Sequence, residues 1–137
     1  MIKFIKKFIA AAVCTIASSA MLKAGDDFFV YVSPDPIGVN AFLEMGKTGI
    51  EAAAKKYGAD VQTYESTTAA ARRENVEAAL NEGASLVVVL GFEFNDIISE
   101  LAPTAPEVNF LIVDQCLSEL PENVHCAVFR EYEASYL

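Results

Sequence analysis

Apolar residues along this chain fall into short β-rich runs separated by stretches with three- and four-residue spacing. Residues 28–32 (FFVYV) read as a first strand, broken by Ser33-Pro34-Asp35-Pro36. Residues 40–57 predict a helix. Its inward face holds Phe42, Met45 or Gly46, Gly49-Ile50 and Ala53-Ala54, and Gly58 stands where a left-handed cap is wanted. Residues 61–64 alternate as a second strand. Ser66-Thr67-Thr68 then offers N-cap hydroxyls to a helix over 69–81, with Val76, Ala79 and Leu80 inward and Gly83 ending it. The continuous run 86–90 (LVVVL) fits a central parallel strand covered on both faces. A third helix is expected over 93–102, with Phe94, Ile97, Ile98 and Leu101 on one side and Pro103 and Pro106 after it. Strands follow at 110–113 and 124–129, and 131–137 opens another helix. Strands separated by helices make right-handed βαβ units. The expected fold class is therefore α/β, an open parallel Rossmann-like sheet with helices on both faces and strand order 2-1-3-4-5.

Ligands of such sheets bind outside the carboxyl ends of the strands. The chain delivers Ser33, Asp35 and the loop to Asn40 there, then Glu65 and Ser66, Gly91, Phe92 and Glu93, Asp114 and Gln115, and Arg130 and Glu131. Asp114 directly follows 110–113 (FLIV), where a carboxylate can accept two hydroxyl hydrogen bonds from a diol or cap a loop. Phe42 can stack on a flat ligand or anchor the first helix. Asn40 can bond an amide or cap that helix. Gly91 permits close backbone approach or simply makes a turn. Arg130 can pair with Glu131 or Glu133 or meet a ligand. Catalytic and cofactor signatures are missing. Gly38 and Gly46 fit neither phosphate-loop spacing, no GxSxG elbow occurs, and the lone His125 sits in an apolar run beside Cys126 without partners at metal-ligand spacing. Asp26-Asp27 precedes the first strand, at the wrong end of the sheet for a phospho-acceptor pair.

Charge and the N-terminus narrow the class. The 137 residues carry 10 basic and 19 acidic side chains, a net charge of −9. Four of the lysines and none of the acids lie in 1–24. Six basic residues against nineteen acidic remain, so the rest of the chain is near −13. Such a surface does not neutralise phosphates, which excludes nucleic acid as a partner. Lys3, Lys6 and Lys7 precede an apolar run from Phe8 to Ala17, and Ser18-Ser19-Ala20 supplies small residues for cleavage. This order is that of an export signal over 1–24, cleaved after Ala20 or after Ala24. The run is short for a membrane anchor, and no later stretch approaches a span. A lipid anchor on Cys14 is disfavoured, because Val13 precedes it and apolar sequence continues past it. Cys116 and Cys126 flank one short turn. In an oxidising compartment they can pair, and two buried free thiols are the alternative.

Several segments in order carry a family resemblance: Asp35-Pro36-Ile37-Gly38-Val39-Asn40-Ala41-Phe42, the stretch from Gly46 to Gly58 (GKTGIEAAAKKYG), Leu90-Gly91-Phe92, Asn109 to Asp114 (NFLIVD), and Val128 to Leu137 (VFREYEASYL). Together they resemble the basic membrane protein family of bacterial substrate-binding proteins, which includes purine-nucleoside receptors feeding ABC importers. The resemblance implies a type I periplasmic-binding fold, two Rossmann-like lobes closing on a ligand, with 25–137 as the N-terminal lobe and the second lobe absent. It also implies that Phe42 stacks on a base, that Asp114 holds a ribose, and that Gly91 and Phe92 line the cleft. The family's Asp-Lys-Ser-Phe-Asn segment is replaced by Val39-Asn40-Ala41-Phe42-Leu43, so Asn40 or Asp35 stands in for the lost polar contacts.

The function this implies is periplasmic binding of a nucleoside or similar small polar metabolite, delivered to an ABC permease in the inner membrane, without catalysis or cofactor. One lobe offers one wall of a clamshell, so weak or no binding is expected of this chain alone. The competing readings are an exported hydrolase-like α/β enzyme using Asp114, Asp35 or Glu65 as acid or base, and a nonfunctional remnant of a truncated gene.

Overall fold

A computed structural model of the chain describes residues 27–130 and 133. The proposed export signal, Glu131 and most of the helix expected over 131–137 lie outside the described residues. Strand β1 is Phe28–Ser33, followed by helix α1 (Ala41–Tyr57), strand β2 (Asp60–Glu65), helix α2 (Ala69–Asn81) and strand β3 (Leu86–Leu90). A 3-10 turn over Phe92–Phe94 leads into helix α3 (Asn95–Leu101), and a second one covers Ala102–Thr104 before β4 (Asn109–Val113) and β5 (Val124–Ala127). All four strand pairings are parallel, and the spatial order is β2-β1-β3-β4-β5.

Local chemistry sets the helix ends. The Asn40 side-chain oxygen accepts hydrogen bonds from the Phe42 and Leu43 amides at 3.1 and 3.4 Å, which satisfies two of the orphan donors that open α1. Gly58 closes α1 at φ 74°, with Lys55 and Lys56 in the last turn beside the partial negative charge of the helix end. Thr68 caps α2 through the Ala71 amide at 3.1 Å.

Right-handed crossovers send α1, which connects leftward from β1 to β2, to one face of the sheet, and the rightward connections through α2 and α3 to the other. Alternate strand residues follow. Val30, Val32, Val87, Val89, Phe110 and Ile112 pack with Val76, Ala79, Phe94 and Ile98 on the α2–α3 side. Tyr31, Val88 and Leu90 pack with Leu43 and Ile50 on the α1 side. Beside α1 that second face stays partly open. An apolar groove of about 240 Å³ runs between Met45, Gly49 and Ala53 of α1 and Leu86, Val88, Leu111 and Val113 of β3 and β4.

Four sequence expectations shift. The inward stripe of α1 is Leu43, Ile50 and Ala54, while Met45 is 65% exposed and Phe42 only half-buried. The third helix starts as a 3-10 turn. Gly91 holds φ 99° and ψ 167°, a region that L side chains rarely enter, and the α-helical hydrogen bonding begins only beyond that bend. Strand β5 stops at Ala127 rather than 129. Its last carbonyl takes the Asp114 amide at 2.8 Å, and Val128 and Phe129 beyond it are exposed. His125, expected inside an apolar strand, is exposed on this edge strand.

Candidate ligand-binding site

The loops leaving the carboxyl ends of β1, β3 and β4 meet in one place. Asp35, Asn40, Phe42, Gly91, Phe92 and Asp114, all six residues singled out in the sequence, line a single open depression of about 200 Å³. Pro34, Leu43, Leu90 and Glu93 complete the lining. Leu43 and Leu90 make its floor from the core, a contribution that helix periodicity aimed at Phe42 rather than Leu43.

The β1–α1 loop is held by a set of polar ties. Ser33 donates its hydroxyl to the Asp35 carbonyl at 2.7 Å. The Glu65 carboxylate accepts the Ile37 amide at 2.9 Å. Arg72 of α2 donates to the Pro34 carbonyl at 2.8 Å and reaches the Asp35 carboxylate at 3.3 Å. Glu65 is therefore a brace, and Asp35 is shared between the depression and Arg72. The cap uses the oxygen of Asn40 and, among the described residues, leaves its NH2 donors uncommitted.

The β3 and β4 sides are set by backbone conformation. At Gly91 a Cβ would meet only the end of the flexible Glu93 side chain, so the positive φ rather than lack of space calls for glycine at this turn. Its amide donates to the Val113 carbonyl at 3.1 Å. Phe92 follows at the rim, 67% exposed. Asp114 has φ 70°, the one positive φ at a non-glycine residue among the described residues. Aspartate tolerates that region better than most side chains, and such departures gather at functional sites.

Phe42 stands on the first turn of α1. Half-buried against the α1-side core, its ring also meets Phe129 with centroids 6.2 Å apart and planes at 58°. Periodicity pointed to neither this pair nor the return of the chain after β5 toward α1. Three carboxylates, Asp35, Glu93 and Asp114, surround the depression, and among the described residues no basic side chain lines it. Such a lining favours hydrogen-bond donors and opposes anions. Arg130 points elsewhere, pairing with Glu133 at 3.0 Å.

Cys116 and Cys126 are joined in a disulfide, with Cα atoms 5.3 Å apart. No group of three or more metal-ligating side chains occurs among the described residues, and none of their helices is long and apolar enough to cross a membrane.

The family model of the PnrA-like ABC transporter substrate-binding proteins, Bmp, matches residues 29–137. The chain belongs to this family. Among curated relatives, the ABC transporter nucleoside-binding protein BmpA of Lactococcus lactis is 28% identical over 96% of this chain and 43% of its own length. Basic membrane protein A2 of Borrelia garinii is 25% identical over 71% of this chain and 29% of its own. The chain thus spans less than half the length of these relatives. An ABC transporter solute-binding protein of Aeropyrum pernix superposes with a TM-score of 0.71 at 26% identity, over 80% of this chain and 30% of that one. A putative lipoprotein fragment from Peptoclostridium difficile shares the fold, at 17% identity and a TM-score of 0.66 over 80% of this chain and 90% of its own. The sheet described above is the lobe architecture of the family.

Proposed function

We propose that this chain forms one wall of a solute-binding site for a neutral nucleoside or a similar ligand with a flat ring and a vicinal diol. The observation that carries this reading is the meeting of Asp114, Phe42, Asn40 and Gly91 around one depression in a family of ABC substrate-binding proteins. The BmpA relative is a nucleoside-binding protein, which points to the same ligand class. Phe42 supplies an aromatic surface for the ring. The Asp114 carboxylate accepts two hydroxyl donors. The acidic lining opposes a phosphate, which selects nucleosides over nucleotides.

In this reading the protein carries an export signal over 1–24, binds its ligand outside the cytoplasm without a cofactor, and passes it to an ABC permease, with residues 25–137 as the N-terminal lobe. The enzyme alternative is weakened at Glu65, whose carboxylate braces the Ile37 amide, while Asp35 is tied to Arg72 but still lines the depression. Two walls are needed to desolvate a ligand. Titration of the chain with adenosine, guanosine and inosine is therefore expected to give affinities weaker than micromolar, with adenosine monophosphate weaker still. Asp114→Asn, which keeps tolerance for the left-handed backbone, should lower adenosine affinity by about ten- to a hundredfold, the loss of one charge-assisted hydrogen bond. A preference for the nucleotide, or unchanged affinity in Asp114→Asn, would overturn the reading.

A further inference from the structure

We propose that the Cys116–Cys126 disulfide is a positioning device for Asp114, and that it sets the preference of the site for ligands bearing a diol. This rests on the ligand-binding reading above and adds the group that holds its key carboxylate in place.

Three observations carry it. First, Asp114 sits in the left-handed region, which aspartate tolerates better than most side chains but which still costs backbone energy, so the ties around it matter to holding it there. Second, those surroundings form a small ring. The Asp114 amide donates to the Ala127 carbonyl at 2.8 Å, Ala127 follows Cys126, Cys126 is bonded to Cys116, and Cys116 lies two residues after Asp114. The hydrogen bond and the disulfide thus pin both sides of Asp114 to the same end of β5. Third, little else holds this stretch. β5 is a four-residue edge strand paired only to β4. A polar cavity of about 430 Å³, lined by Asn95, Asp96, Ser99 and residues 116–119, separates the following loop from α3. Leu117 reaches the core, whereas Ser118, Glu119 and Leu120 are exposed. Beyond Leu117 the loop is next fixed, among the described residues, at Asn123, whose side-chain amide donates to the carbonyls of Ala102, Ala105 and Val108 at 2.9 to 3.0 Å.

The same strand end serves the other half of the site. Phe129, two residues past Ala127, packs on Phe42. Freeing β5 therefore loosens the carboxylate directly and the aromatic surface only through a longer tether. The ring-binding half should survive better than the diol-binding half.

Reduction tests this. An added dithiol such as dithiothreitol gives two electrons and two protons to the disulfide, leaving Cys116 and Cys126 as thiols and itself as a cyclic disulfide. In the oxidised 137-residue chain, hydrogen exchange followed by NMR should show the Asp114 amide protected. On reduction its exchange should rise by at least about tenfold while the Val88 and Val89 amides of β3 stay unchanged, as a local opening requires. The Cys116→Ser/Cys126→Ser chain should behave like the reduced one without dithiol. Titrations with adenosine and with 2′,3′-dideoxyadenosine, read on the Gly91 and Phe92 amides, should show the oxidised chain preferring adenosine. The reduced chain should lose that preference by about tenfold, with dideoxyadenosine binding nearly unchanged. Unchanged Asp114 exchange, an unchanged adenosine preference, or accelerated exchange across β3 as well would each overturn the proposal. The last would make the disulfide a global staple. If neither nucleoside binds the oxidised chain even at millimolar concentration, this proposal's ligand claim falls, whereas the functional reading, which expects weak or no binding from one wall, stands; the exchange experiment still decides what holds Asp114.

Discussion

The two faces of the sheet are built to different standards. On the α2–α3 side, Val30, Val87, Phe94, Ile98, Phe110 and Ile112 are buried completely and meet two helices. On the α1 side, among the described residues, a single helix covers β1, β2 and part of β3, and Leu86, Leu111 and Val113 are left half-buried beside an apolar groove. The cause is chain order rather than composition, since both faces of β3 and β4 are equally apolar. Every connection that runs rightward must cross on one face, and the only leftward connection takes the other. Completeness of packing is thus a topological property, and the site lies where the better-packed and the open half share their strand ends.

Substitutions can break this contrast. Phe110→Ala on the closed face should cost about 3–5 kcal/mol, the transfer of a buried ring plus the cavity it leaves. Its neighbour Leu111→Ala, facing the groove, should cost about 1 kcal/mol, because much of that side chain already meets solvent. Urea unfolding of the two variants measures the difference, and equal losses would mean that the groove is closed in solution.

Within α1, two glycines sharpen the boundary between covered and open surface. A Cβ on Gly46 would lie 2.8 Å from the Tyr31 hydroxyl oxygen and 3.1 Å from Leu90. The Tyr31 ring is fully buried and its hydroxyl donates to the Leu43 carbonyl at 3.3 Å, so it has little room to move. Burial also pushes the Tyr31 hydroxyl above its ordinary pKa. Gly46→Ala should therefore destabilise by about 1–3 kcal/mol. Gly49, one turn on, has nothing within 4 Å of the same atom. Gly49→Ala should stabilise by about 0.5–1 kcal/mol, since alanine is the better helix former. Melting temperatures moving in opposite directions would bear out the contrast; shifts of the same sign would refute it.

The smallest effect belongs to the sheet's outer edge. Burial and the Glu82 carboxylate, which accepts its hydroxyl hydrogen bond, push Tyr64 up to about 12 from an ordinary 10.0. The folded state holds this proton more tightly than the unfolded chain. The stability it contributes is full below pH 10 and is lost as pH climbs through about 12. Urea midpoints of the parent should fall more steeply than those of Tyr64→Phe between about pH 9 and about pH 11.5. Parallel falls would show the Tyr64–Glu82 contact to be unimportant.

Much of the architecture was legible because apolar period and handedness act together. The run 86–90 predicted the buried central strand, and the alternation of strands and helices predicted the order found. The site residues were legible for the same reason, since strand ends are where side chains leave the core. Orientation within a helix was less so. Phe42 and Leu43 are adjacent and both apolar, so spacing alone does not say which of them points inward. The extent of β5 misled because Val128 and Phe129 have strand-like side chains. A strand with one neighbour ends where that neighbour stops offering donors, at the Asp114 amide. The roles of Glu65 and Arg72 were hidden as well, because each acts on a loop 28 to 38 residues away in sequence.

The position of β1 between β2 and β3 has a consequence in time. Of the described strands, β1 stands first in the chain yet is flanked by the second and third, so its ladder with β2 is complete only when Glu65 exists and its ladder with β3 only when Val89 does. β3 in turn waits for Val113, and β4 waits for Ala127. Among the described residues, the segment bearing Asp114 thus receives its partners latest in chain order, when Ala127 accepts its amide and Cys126 comes within reach of Cys116.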